Sequence, residues 1–375
     1  MIYLDETESL CFFEMEAIEE TMFYSACYVS EDIVPNEVRI AVIICTYHRN
    51  KQLLHNLHMF LNSRFWLEAD ECYEKLKIYV VDNGRDIRPD FKDERVRIFP
   101  NSNAGGGSGG FTRGLKEVCA DQDVFPCTHT VFMDDDVEFR MESFYRLYAL
   151  LSLLKPEYRM RPVAGRMFRM NNRHVQYTAA EIWNKGKIIH VGGERDMRHR
   201  NNLSERNLSS GDYGGWWLCA YPALYSLNNK PFPFFIHCDD VEYGLRCGER
   251  PLILRGFQVW HETFEFRITP KIIYYDIRNA LVVNMIKAVS GETDYGLIIT
   301  DWKQRLDGYH NAGAWKEKYL CALALWHFGK VGIFNNRKGK LPEIHMHIAE
   351  KNSWRRWGRL YCIGLQSIVF GRSMK

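Results

Sequence analysis

From residue 38 onward, short apolar runs alternate with amphipathic stretches. Val38-Arg39-Ile40-Ala41-Val42-Ile43-Ile44 is β-rich and lacks polar alternation, the pattern of a strand buried on both faces of a parallel sheet. It stops at Cys45-Thr46-Tyr47-His48-Arg49-Asn50, after which Leu53, Leu54, Leu57 and Phe60 recur at helical spacing. The same pattern predicts strands at residues 77–81, 96–99 and 130–133. They end in Asp82-Asn83-Gly84, Pro100-Asn101 and Asp134-Asp135-Asp136. Strand, helix, strand, with polar residues at each strand's carboxyl end, describes an open α/β sheet, and such sheets bind ligands at those ends.

Composition narrows the class. Hydrophobic residues at 46% and charged residues at 26% are globular proportions, and 375 residues are enough for more than one domain. The net charge of +2 carries no bulk signal for a polyanionic partner, and no nucleic-acid module is present. The 11 cysteines are odd in number and form no C-x-x-C pair, which argues against a secreted disulfide framework and a cysteine zinc site. Free thiols in a reducing cytosol are expected. The start of the chain lacks the basic flank and apolar core of a signal peptide. No uninterrupted apolar run approaches the roughly 20 residues of a membrane span. A cytoplasmic protein, soluble or peripheral on the inner membrane, is expected. Charge is uneven: acids crowd the first 38 residues, and bases without acids fill the last 25. The expected division is an acidic segment at 1–37, an α/β catalytic domain at 38–270 and a helical basic region at 271–375.

Asn103-Ala104-Gly105-Gly106-Gly107-Ser108-Gly109-Gly110 precedes a helix expected at 111–118. Gly105, Gly107 and Gly110 can be aligned to G-x-G-x-x-G, the dinucleotide fingerprint of oxidoreductases. That fingerprint belongs after the first strand of its unit, whereas this stretch follows the third. A helix N-terminus whose bare backbone lets a nucleotide or sugar approach fits better, with a flexible turn as the alternative. Asp134-Asp135-Asp136 is the strongest local feature. Adjacent carboxylates repel, and a divalent cation relieves the repulsion. Asp134 and Asp136 share a side of an extended segment, which suits Mg²⁺ or Mn²⁺. The alternative is a solvated acidic loop.

Taken in order, T-Y-x-R, V-V-D-N-G, N-x-G-G-x-S-G-G-F and D-D-D resemble the nucleotide-sugar half of a GT-A glycosyltransferase of family two. Gly215-Trp216-Trp217, His237-Cys238-Asp239-Asp240-Val241-Glu242, Trp260-His261 and Tyr274-Tyr275-Asp276-Ile277-Arg278-Asn279 extend the likeness to bacterial galactofuranosyltransferases. The resemblance implies a GT-A mixed, mostly parallel sheet with flanking helices and a helical C-terminal region. It implies Asp134, Asp136 and His261 as ligands of Mn²⁺ or Mg²⁺. It sets Thr46, Arg49, Asp82, Asn103 and Asp135 against a UDP-sugar donor, although Asp82 before Asn-Gly also reads as turn chemistry.

Asp240 becomes the general base of an inverting displacement, with Asp239 and Glu242 orienting acceptor or base. The choice among these three acids stays open, as does plain N-capping of a helix. Glu181 corresponds to an acceptor-contacting position. At least one of Trp216 and Trp217 is expected to stack on acceptor sugar, the alternative being that both are core. The implied reaction is transfer of galactofuranose from UDP-galactofuranose to a glycan, lipid-linked, in bacterial surface polysaccharide such as O-antigen. Competing readings are a family-two transferase with a rhamnosyl, glucosyl or galactopyranosyl donor, and a non-catalytic sugar-binding subunit. The relatives carry a large β-rich N-terminal domain where fewer than forty residues stand here, so single or short-chain addition is expected. From Trp354, bases and aromatics interleave with aliphatic residues, a composition for membrane contact or for packing on the catalytic domain. A homo-oligomer is compatible with all of this.

Overall fold

The computed structural model describes residues 15–24, 33–184, 186–203, 210–263, 269–289 and 295–331. In chain order the elements are β1 (Ile40–Thr46), α1 (Asn50–Leu61), β2 (Leu76–Asp82), β3 (Val96–Pro100), α2 (Gly106–Ala120), β4 (His129–Asp134), β5 (Glu138–Phe139) and α3 (Glu142–Leu153). There follow β6 (Val163–Arg169), β7 (Val175–Thr178), β8 (Glu181–Asn184), β9 (Lys187–His190), β10 (Arg195–Asp196), α4 (Arg200–Leu203), β11 (Leu218–Pro222) and α5 (Ala223–Ser226). The last are α6 (Asp239–Cys247), β12 (Leu252–His261), α7 (Pro270–Val289), α8 (Tyr295–Asn311) and α9 (Trp315–Val331).

The main sheet runs β10-β7-β6-β11-β4-β1-β2-β3, with β12 paired to β6 and β5. Neighbours β4, β1, β2 and β3 are parallel, while β11 lies antiparallel between β4 and β6. This is the mixed, mostly parallel sheet with flanking helices that the resemblance implied, and α7, α8 and α9 make the C-terminal region helical.

The unbroken apolar character of β1 has a direct cause. Ile40, Val42 and Ile44 enter a core with Leu53, Leu57 and Phe60 of α1 and Phe144 and Leu147 of α3. Ala41 and Ile43 face the opposite way, toward Phe111, Leu115 and Val118 of α2 and Tyr243 of α6. With helices on both faces, neither set of alternate positions can be polar.

Helix α2 begins five residues earlier than expected, and its glycines lie inside it. A Cβ on Gly110 would overlap Cys45 Sγ, and one on Gly114 would overlap Ile43. The helix therefore rests directly on β1, close enough that only hydrogen fits between them. In the C-terminal region Tyr274, Tyr275 and Leu281 of α7 pack with Trp302 and Leu306 of α8 and residues of α9. Ala280, Val282 and Val283 on another side of α7 meet Phe234, Cys238 and Val241 next to α6. No helix among the described residues is long and apolar enough to cross a membrane. The tail beginning at Trp354, on which the expected membrane contact rests, lies outside the described residues.

Candidate active site

Parallel pairing sets the carboxyl ends of β2, β1 and β4 side by side, with Thr46 opposite Asp82 and Cys45 opposite Asp134. Beyond Asp134 the chain turns and carries Asp135 and Asp136. His261 ends β12, opposite Arg169 of β6. Its Nε2 lies 3.1 Å from Asp136 Oδ1 and 3.8 Å from Asp134 Oδ2. One donor atom from each of Asp134, Asp136 and His261 fits within 4.8 Å of the others. Two ligands at right angles on a small divalent ion, each about 2.1 Å from it, stand about 3 Å apart, so the cluster has the span of such a site. Two carboxylates with one imidazole are also a donor set that Mn²⁺ accepts.

Asp135, between the two carboxylates of that cluster in sequence, is buried. Its Oδ1 accepts a hydrogen bond from Arg49 NH1 at 2.9 Å, and the same nitrogen lies 2.7 Å from Asp136 Oδ2. Burial raises the Asp134 carboxyl pKa; His261 opposes the shift, and Asp136 and Asp135 add to it. Burial also raises Asp135, against the pull of Arg49 and of the neighbouring Thr46 hydroxyl. Three carboxylates thus crowd around one guanidinium, the electrostatic condition a divalent cation satisfies.

The second group of acids opens α6. Asp239 Oδ2 accepts a hydrogen bond from Ser108 Oγ at 2.9 Å, which links α6 to the glycine-rich helix. Asp240 Oδ1 accepts from Val241 N at 2.8 Å. Burial holds the Asp240 carboxyl well above its ordinary range, and Asp239, Glu181 and Asp134 push it in the same direction. Asp240 therefore shares one electrostatic environment with the triad and with Glu181.

Several expected site residues are engaged differently. Glu242 is buried and holds Arg246 through both carboxylate oxygens, at 2.7 and 3.0 Å. This i,i+4 pair ties Glu242 to the next turn of its own helix. Both indoles of the Trp pair are about 5% exposed. Trp216 packs among Phe111, Phe132 and Tyr243 on one face of the sheet. Trp217 enters the opposite core and donates from Nε1 to the Gly165 carbonyl at 2.8 Å. They face opposite ways, and of the two readings given for the pair, core packing is what these contacts perform.

Asp82 Oδ1 accepts from Gly84 N and Arg85 N, and Oδ2 from Ile87 N at 2.9 Å. Of its two readings, turn chemistry is what these bonds perform. Asn103 is half-buried beside Asn83, whose Nδ2 lies 3.4 Å from its Oδ1. Glu181 is buried and paired through both oxygens with His190 Nδ1. At the start of α2 a Cβ on Gly105 or Gly109 would meet nothing within 4 Å, whereas Gly106 and Gly107 are covered. Gly107 N donates to Phe235 O at 2.9 Å, and a Cβ on Gly106 would overlap that carbonyl, so these two glycines admit a segment of the protein itself. Sequence reasoning passed over Ser108, His190 and Arg246 as site neighbours. Glu242 and Arg246 alone carried a readable signal, their helical spacing.

Residues 41–200 match the model of the glycosyl transferase family 2. The chain is similar to the galactofuranosyltransferase GlfT2 of Mycobacterium tuberculosis, 26% identical over 301 residues, covering 72% of this chain and 45% of the relative. It is likewise similar to GlfT2 of Mycolicibacterium smegmatis, 25% identical over 288 residues, covering 69% of this chain and 43% of the relative. The chain thus spans less than half the length of these curated relatives. A solved mannosyltransferase of Pyrobaculum calidifontis, in complex with GDP-Man and Mn2+, aligns with a TM-score of 0.40 at 14% identity, covering 90% of this chain and 89% of that one. By the family model and the two curated relatives, the chain resembles family-two glycosyltransferases.

Proposed function

We propose that this chain is an inverting, metal-dependent glycosyltransferase. In this reading it moves galactofuranose from UDP-galactofuranose to a lipid-linked glycan acceptor in bacterial surface polysaccharide synthesis. One observation carries the reading: Asp134, Asp136 and His261, from strands far apart in sequence, bring three ligand atoms within 4.8 Å at the carboxyl end of the sheet. The family match at residues 41–200 and the two galactofuranosyltransferase relatives support the reaction and the donor.

A Mn²⁺ or Mg²⁺ ion held by these three residues would supply positive charge to the departing diphosphate. Arg49 sets the Asp135 and Asp136 carboxylates through its bridging nitrogen. Asp240 accepts the proton of the acceptor hydroxyl as that oxygen attacks the anomeric carbon. The bond from that carbon to the diphosphate oxygen breaks, and its electron pair leaves with UDP. Asp239, held by Ser108, keeps the Asp240 carboxylate basic through its own charge. The basic tail would bring the chain to the anionic surface on which a lipid-linked acceptor sits.

The test is a donor panel with UDP release and product mass as readouts, run with Mn²⁺, Mg²⁺ or EDTA and with acceptor glycolipid in anionic vesicles. Cation-dependent transfer from UDP-galactofuranose, with the chain sedimenting with the vesicles, is expected. Transfer from a pyranosyl donor instead would replace the donor assignment. Absence of UDP release from every donor would leave a sugar-binding subunit in place of an enzyme.

A further inference from the structure

The segment before α6 has an uncommon backbone. Phe235, His237 and Cys238 have φ of 76°, 63° and 64°, left-handed values at three residues that are not glycine. Such conformations persist where the surroundings over-determine them. Here the surroundings include one buried amide. Asn279 of α7 is fully buried, and its Nδ2 donates to Ile236 O at 2.7 Å and His237 O at 2.8 Å, with Phe234 O at 3.5 Å. Its Oδ1 accepts from Arg278 NH1 at 2.8 Å, so the amide is oriented from both ends. One turn earlier, Tyr275 stacks on Phe235, with ring centroids 5.4 Å apart. The other side of the strap is tied to the donor half, through Gly107 N on Phe235 O. The residues that follow immediately are Asp239 and Asp240.

We propose that Asn279 is a positioning residue for transfer. By gathering the carbonyls of the left-handed strap it sets the direction from which α6 presents Asp239 and Asp240 to the triad. The inference rests on the function proposed above. It also gives a purpose to the Tyr-Tyr-x-x-Arg-Asn motif, whose Tyr275, Arg278 and Asn279 all converge on this strap or its amide. The triad itself stands on β4 and β12, and α7 contributes nothing to it. Loss of the amide should therefore misplace the base while leaving nucleotide binding intact.

Asn279→Ala is expected to lower kcat for transfer by roughly 10- to 100-fold, the scale of a misplaced catalytic group. UDP affinity in Mn²⁺, measured by calorimetry, should stay near the wild-type value. Replacing His237 by glycine in the Asn279→Ala background should restore part of kcat, because glycine holds a left-handed φ without ties. Tyr275→Leu removes the ring from Phe235, spares the amide and should show the same loss confined to kcat. It keeps the test open if the alanine variant does not fold. Wild-type kcat in both Asn279→Ala and Tyr275→Leu, or loss of UDP affinity in parallel with kcat, overturns the inference. Wild-type protein that transfers no sugar sinks the underlying function instead, so the two failures are told apart.

Discussion

At the scale of single residues, Asp240 is where burial and neighbouring charge act together. Its carboxyl is raised first by burial, then by the negative charge of Asp239, Glu181 and Asp134. A base must be deprotonated to work, and a raised pKa means that the active form is lost at a higher pH as acid is added. The kcat/KM profile should therefore show an acidic limb above the ordinary carboxylate range. Asp239→Asn removes the largest neighbouring charge, so the limb should move to lower pH. Glu181→Gln should move it the same way by less. A pH–rate series on the three proteins checks this, and a limb that stays fixed in both variants removes Asp240 from the role. Such residues were unevenly legible. Asp134 and Asp136 could be paired from sequence on the period of two of an extended segment, and the structure brings them together across a turn at the end of β4 instead. The occupation of Asp82 by three backbone N–H groups, of Glu242 by Arg246 and of both indoles by core depends on what each faces, which the pattern of residue types does not reveal.

At the scale of elements, the four parallel strands were readable because they are rich in apolar, β-branched and aromatic residues, with β1, β2 and β4 buried along most of their length and β3 at the sheet edge. β6 to β10 and β12 were not foreseen. They are short or carry polar residues, and β12 pairs with β6 across about ninety positions, with a bulge between Ile253 and Gln258. The start of α2 was misplaced because glycine is a poor helix former, and its presence there answers to tertiary contact with Cys45 and Ile43 instead. That account is testable. Gly110→Ala improves intrinsic helix propensity, yet it should destabilise the protein by about 1–3 kcal/mol through overpacking against Cys45. Cys45→Ala in the same chain removes the overlapping sulfur and should recover more than half of the loss. Urea melts of the single and double variants decide it, and a Gly110→Ala protein more stable than wild type would refute the close-contact explanation.

At the scale of the whole molecule, the site exists only when distant parts of the chain are assembled. Asp134 and Asp136 come from the end of β4, His261 from the end of β12, Asp239 and Asp240 from α6, and α7 holds the strap that leads into α6. A ligand that binds this assembled state and not the unfolded chain must stabilise it by mass action. At a hundredfold excess over its dissociation constant the gain is about 2.7 kcal/mol, which for a chain of this size is about 3 to 5 °C in Tm. UDP with Mn²⁺ should therefore raise Tm by that amount, and UDP with EDTA by clearly less. His261→Ala leaves β4 and β1 in place but removes the one proposed ligand supplied by β12. The Mn²⁺-dependent part of the shift should then disappear while the shift with UDP in EDTA is retained. If His261→Ala keeps the full Mn²⁺-dependent shift, the imidazole belongs to the core beside Asp136, and the cation, if bound, is held by the carboxylates without it.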